Sequence, residues 1–168
     1  MSELVGCVLR NLYEQKGAVL LQDPQNLQAL LLDLCPDETR AIRLILLGLS
    51  RQIPHLLLQK YPQEGKPYLQ VLSTDLGKAF DMDQRFTYWI VEAWAAAQNL
   101  IPLTLEPRNV FIEAEAEYRK ALYAACATGP LSEHLIGQLN LMRERLLLEP
   151  AVAEHILTEV QKEIVRQV

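Results

Sequence analysis

The chain has 168 residues, half of them apolar, with a formal charge of -5. That length fits one domain or two small ones, and the apolar content excludes wholesale disorder, which needs low hydrophobicity with high net charge. Basic residues number 9 against 11 acidic over positions 1–100 and 7 against 10 over 101–168, so neither half offers an electrostatic hold on nucleic acid or anionic lipid.

No stretch approaches the ~18 apolar residues of a membrane span; the longest runs, around Leu44 to Leu47, are broken by Arg43 and Arg51. Met1-Ser2-Glu3 lacks the basic start of an export signal. Cys7, Cys35 and Cys126 are far apart with no Cys-x-x-Cys pair, which reads as reduced thiols in a cytoplasmic protein and not as a disulfide framework or zinc site.

The apolar spacing is helical almost throughout. Val5, Val8, Leu9 and Leu12 mark one face of a first helix, and Gly17 interrupts it. Asp23-Pro24 is a start signal, cap followed by pre-set φ, for the stripe Leu27, Leu30, Leu31, Leu34. Cys35-Pro36 stops that helix. Asp37 and Glu38 sit at the positive end of the next, where Ile42, Leu44, Ile45, Leu46, Leu47, Leu49 and Ile53 cover most of the circumference. Such a helix is expected at the centre of a bundle, with Gly48 permitting a close approach. Pro54 restarts the chain into a short leucine run, and Tyr61 to Pro67, with two prolines and a glycine, reads as a loop.

Tyr68, Leu69, Leu72, Leu76, Ala79 and Phe80 then form an amphipathic helix. Asp81 with Gln84 resembles a capping box, opening a helix in which Phe86, Trp89, Ile90 and Trp94 alternate with alanines. Residues 101–109 read as a linker between a unit at 1–100 and a three-helix unit at 110–168. The latter is expected as Val110 to Ala127, Ser132 to Leu147 and Pro150 to Gln167. The stripe Leu135, Leu139, Met142, Leu146 should face Ala153, Ile156, Leu157, Val160, Ile164. The fold class is therefore all-α, a multi-helix orthogonal bundle followed by a three-helix unit.

Reactive side chains do not converge in the sequence. Thr128-Gly129-Pro130-Leu131 lacks the alternating oxygen ligands of a calcium loop. Asp81-Met82-Asp83 has too few ligands for a metal and suits a helix start. Glu133-His134 and Glu154-His155 are adjacent pairs, not the Glu-x-x-His of a di-iron bundle. A nucleophile joining Cys35, placed at a helix start, to His55 has only that placement behind it. Phosphate-binding glycine loops are absent. Neither a cofactor, a metal nor an enzymatic activity is expected.

From about residue 17 to residue 98, the ordered series Asp23-Pro24, Asp33-Leu34-Cys35-Pro36, Arg40-Ala41-Ile42, Ile53-Pro54 and the helix Phe86 to Ala95 resembles a helical block of bacterial and cyanobacterial multidomain proteins. There the block stands beside kinase-like, Hsp70-like or repeat modules. The resemblance implies an accessory or adaptor role without activity of its own. No kinase-like or chaperone-like domain accompanies the block in this sequence.

The sequence thus points to a non-enzymatic interaction or scaffold module whose partner is another protein, bound in a helix-lined groove or on an apolar patch. Its candidate contact residues are Arg40, Arg43 and Arg51 on one helix, and Phe86, Trp89 and Trp94 on another. The rings also suit a core. The alternative is a small apolar ligand or pigment held between helices. A homodimer through the last helix, by Val160, Ile164 and Val168, is the oligomer that the sequence suggests.

Overall fold

The computed structural model describes residues 5–102 and 107–167. Among them the chain is all-α, with nine α-helices and no strand. It divides into two compact units, 1–107 and 108–168. The division falls within the expected linker, of which 103–106 lie outside the described residues, as does Val168.

In the first unit α1 (Val5–Lys16) buries Val5, Val8, Leu9 and Leu12 as its spacing requires. Gly17, at φ 62°, turns the chain into a 3₁₀ segment, Gly17–Leu21. The Asp23 carboxylate accepts the Asn26 amide at 3.0 Å, with Pro24 at the first helical position, so α2 (Pro24–Leu34) starts as its cap dictates. Leu27 and Leu31 enter the core, whereas Leu34 remains exposed. Then come α3 (Thr39–Ser50), α4 (Ile53–Glu64), α5 (Lys66–Phe80) and α6 (Gln84–Ala97).

The expected loop at Tyr61 to Pro67 is a single residue, Gly65, at φ 68° and ψ -156°. Both prolines fit helices. Pro67 lies in the first turn of α5, where no intrahelical donor is lost, whereas Pro62 lies in the last turn of α4 and gives up one intrahelical hydrogen bond there. Helix α4 is therefore three turns long, not a short leucine run. The start of α6 also differs: Asp83, not Asp81, is the cap, its carboxylate accepting the Arg85 amide at 2.9 Å and the Arg85 guanidinium at 2.9 and 3.0 Å. Asp81 instead reverses the chain at φ 48°.

The central helix is α6 and not α3. Ten residues of α6 are buried, among them both tryptophans; α3 leaves Leu46 and Leu47 half-exposed. Alanine is the reason: Ala93, Ala95, Ala96 and Ala97 keep α6 thin, so α1, α3, α4 and α5 all reach it. Its polar side chains then bond to those neighbours. Trp94 Nε1 donates to the Ile45 carbonyl of α3 at 3.1 Å, and Gln98, just past its end, donates to the Pro54 carbonyl of α4 at 2.9 Å. Thr87 and Ser73 of α5 share a buried hydroxyl bond at 3.0 Å, with Thr87 Oγ1 also 3.2 Å from the Gln84 carbonyl.

In the second unit α7 (Pro107–Ala127), α8 (Glu133–Arg145) and α9 (Pro150–Gln167) follow. Val110, Ala114, Tyr118, Leu122 and Ala125 of α7, with Ala153, Ile156 and Val160 of α9, supply its core. Arg119 bridges to Glu159 and, at 3.5 Å, to Glu163. The hydrogen bond from Arg119 holds the Glu159 carboxyl below the usual carboxylate range. Helix α8 buries no residue of its own. Its stripe, expected to face α9, borders a trough with Ala121, Ala124 and Ala125 of α7.

Gly48 of α3 lies tight against α6. A Cβ there would meet Ile90 Cγ2 at 2.6 Å and Trp94 Nε1 at 2.8 Å, both on buried side chains. Overpacking of this kind costs about 1–3 kcal/mol, against roughly 1 kcal/mol gained in helix propensity. Gly48→Ala is expected to lower the urea midpoint of the first unit, and Gly48→Val to lower it further. Tryptophan fluorescence reads this directly, since Trp89 and Trp94 both lie in that unit. An unchanged midpoint would mean that α3 and α6 separate at no cost.

Candidate functional site

Helices α4 and α5 lie side by side as a hairpin across Gly65, and a trough runs between them. Leu72, Asp75, Leu76 and Ala79 fall at i, i+3, i+4 and i+7 on α5, and Ile53 and Leu56 one turn apart on α4. Together with Arg51 they line a cleft of about 280 Å³. Ile53, Leu72 and Leu76 form a buried floor, Leu56 is half-exposed, and Asp75 and Ala79 stand at the rim in solvent.

A cation stands on a ring at each end. The Arg51 guanidinium lies over Phe80 at 4.8 Å, and the Lys60 ammonium over Tyr68 at 5.7 Å. These pairs are attractive by the ring quadrupole, by about 0.5–1 kcal/mol at exposed sites. Both cations remain exposed, as does Phe80. Burial, with Glu64 and then Asp75 nearby, raises the Tyr68 phenol above its ordinary value.

A second trough, about 480 Å³, lies on the other side of the α3–α4 corner, among Leu21, Pro24, Leu46, Leu49, Ser50, Gln52, His55 and Gln59. Its polar walls make it a poorer apolar seat. Residues Arg51 and Gln52 separate the two troughs, and Gln52 turns the corner at φ 58°. The third trough, about 390 Å³, is the α7–α8 one, lined by Leu135, Leu139 and Met142 opposite the α7 alanines.

Of the residues that the sequence singled out, Arg51 borders the first trough and the other five do not. Arg43 is exposed and Arg40 half-buried, both toward the opposite end of α3. Eight residues separate Arg43 from Arg51, about 12 Å along a helix. Phe86, Trp89 and Trp94 are 0%, 1% and 0% exposed, so they belong to the core and present no ring to a partner. The cause is α6 itself, which four other helices surround. Trp89 Nε1 finds no hydrogen-bond acceptor among the described residues, a cost of about 1–3 kcal/mol that its ring burial outweighs.

Cys35 is buried at the C-terminal end of α2, not at a helix start, and the trough lined by His55 does not include it. His134 and His155 are exposed, the latter 3.3 Å from Glu159. Among the described residues no three His, Cys, Asp or Glu side chains are placed to hold a metal ion. Val160, one of the three residues that suggested a dimer, is fully buried, and Ile164 is half-buried. No single described helix is long and apolar enough to cross a membrane; α3 and α4 reach that length only together, with a 68° bend between them.

Sequence reasoning missed Lys60, Asp75 and Phe80. The signal was present in α5: an acid and a small residue interrupt its apolar stripe, so Leu69, Leu72, Ser73 and Leu76 turn inward while Asp75, Ala79 and Phe80 turn out.

Comparison of the chain with models of known protein families, with characterised proteins and with solved structures finds no match.

Glu92, on the flank of α6, carries a carboxyl that its surroundings push upward. Burial raises it above the ordinary value, and Lys66 offsets that only in part. Its Oε2 is buried without a hydrogen-bond partner among the described residues. A raised carboxyl favours folding below the ordinary Glu range, and that contribution disappears as pH rises through the raised value. Glu92→Gln is therefore expected to melt higher than the unsubstituted chain at pH 8, with the gap closing near pH 4. Thermal melts followed by tryptophan fluorescence at several pH values check this. A gap of equal size at all pH values would remove burial of the charge as the cause.

Proposed function

We propose that the chain is a non-enzymatic protein-interaction module that docks a partner along the α4–α5 trough. The observation that carries this reading is the trough itself: an apolar floor, open to solvent, with an exposed cation and an aromatic ring at each end. Helix-lined grooves of this kind take the apolar face of a partner segment. Arginine and aromatic rings are enriched at such contacts.

The other reading, a small apolar ligand held between helices, has less behind it. Ligand sites commonly run to about 300–1,000 Å³ and enclose most of the ligand. The α4–α5 cleft, at about 280 Å³, is smaller than that and open. It suits one or two aliphatic side chains.

Site-specific photocrosslinking in the source cell tests the proposal. A photoreactive side chain at Ala79, exposed at the trough rim, is expected to yield a discrete protein adduct. The same group at Gln28, exposed on α2, should not yield that adduct. Identical adducts from both positions, or none from Ala79, would overturn the assignment of this face.

A further inference from the structure

We infer that the partner segment is an acidic amphipathic helix, laid in the α4–α5 trough with aliphatic side chains on its floor and a carboxylate against each end cation. This inference rests on the docking reading above and names the chemistry of the occupant.

Charge is the first support. Arg51 and Lys60 stand on the rings at the two ends of the trough, while Asp75 stands at the rim between them and Glu64 lies near Tyr68. The trough thus presents positive charge at its two ends with an acid between them, on a chain whose formal charge is -5. Complementary potential of this kind steers encounter and selects partners.

The state of the two end cations is the second. Each lies against a ring face, Phe80 for Arg51 and Tyr68 for Lys60. A guanidinium stacked on a ring is held in place while the edge of its fork stays available to a carboxylate. Both cations are already positioned, so little side-chain freedom is lost on binding.

Length is the third. Ile53 and Lys60 are seven residues apart on α4, and Tyr68 and Phe80 twelve apart on α5. At a rise of 1.5 Å these separations are about 10 and 18 Å, or two to three turns of a docked helix. The partner's carboxylates should therefore lie about seven to twelve residues apart on one face. Asp75 stands at the rim between the ends and repels an acid at the middle of the docked segment. The expected pattern is acid, aliphatic, neutral or basic, aliphatic, acid, an arrangement that excludes uniformly acidic chains as well as basic ones.

The test is selection of binders from a displayed library of random helical peptides on three immobilised full-length baits. These are the unsubstituted chain, the double variant Arg51→Glu with Lys60→Glu, and Ala79→Trp, which fills the cleft from an exposed position. Circular dichroism establishes that all three are folded. Peptides selected on the unsubstituted chain should carry Asp or Glu two to three turns apart around aliphatic residues. They should weaken about tenfold or more on each variant, as expected for loss of close charge pairs, and the charge-reversed bait should select Lys or Arg at those positions. Apolar or basic peptides that are lost on Ala79→Trp would overturn the acidic partner and leave the docking trough standing. Peptides indifferent to Ala79→Trp, or selection of none, would overturn both.

Discussion

Everything in the first unit depends on one helix being narrow enough to be surrounded. Helix α6 devotes four of its last five positions to alanine, with Trp94 among them, and that is what lets neighbouring backbones approach it together. Gly48 of α3 meets Ile90 and Trp94, and the Trp94 indole donates to a main-chain carbonyl three residues before that glycine. The small residue and the large one are complementary. Gly48 makes room for the ring, and the ring fills what would otherwise be a void between two helices, where unfilled volume is costly.

From that axle the candidate site follows. The α3–α4 corner is held from inside at two places, by Trp94 on Ile45 and by Gln98 on Pro54. Arg51 and Gln52 lie between those anchors in sequence, so the turn that carries Arg51 is fixed relative to the core. Helix α5 is fixed in the same way by the buried Ser73–Thr87 hydroxyl bond to α6. The trough between α4 and α5 is therefore framed by two helices, each anchored independently to a third. A groove on such a frame can present its cations in a constant register, which is a condition for selecting a partner by charge spacing.

The two units differ in how they use apolar residues. In the first, large side chains are committed to the interior, and the exposed ones, Val19, Leu34, Leu58, Val71 and Phe80, are scattered along the chain. In the second, α8 carries Ile136 and Leu141 in the open and buries none of its own residues. Its trough against the α7 alanines lacks charged groups comparable to Arg51 and Lys60, so its surroundings do not specify an occupant.

Local chemistry was legible in the sequence wherever a local rule decides the outcome. Helix periodicity, the Asp23-Pro24 and Ser132 starts, the stop at Cys35-Pro36 and the three helices of the second unit all follow from the backbone needs of a few adjacent residues. Proline misled at Tyr61 to Pro67, because its effect depends on position within a helix: Pro67 sits in a first turn, where no donor is lost, and at Pro62 only the last turn of α4 remains to be disturbed. Two acids near one helix start, Asp81 and Asp83, could not be told apart by type; the one that also meets Arg85 became the cap. What only the tertiary structure decided is which apolar face is enclosed. Leucine-rich α3 looked central and alanine-rich α6 is, because the centre of a bundle goes to the helix that others can approach and not to the one with the most apolar area. For the same reason the tryptophans left the candidate site and Lys60, Asp75 and Phe80 entered it: exposure is a property of neighbours, and neighbours distant in sequence are chosen only when the chain folds.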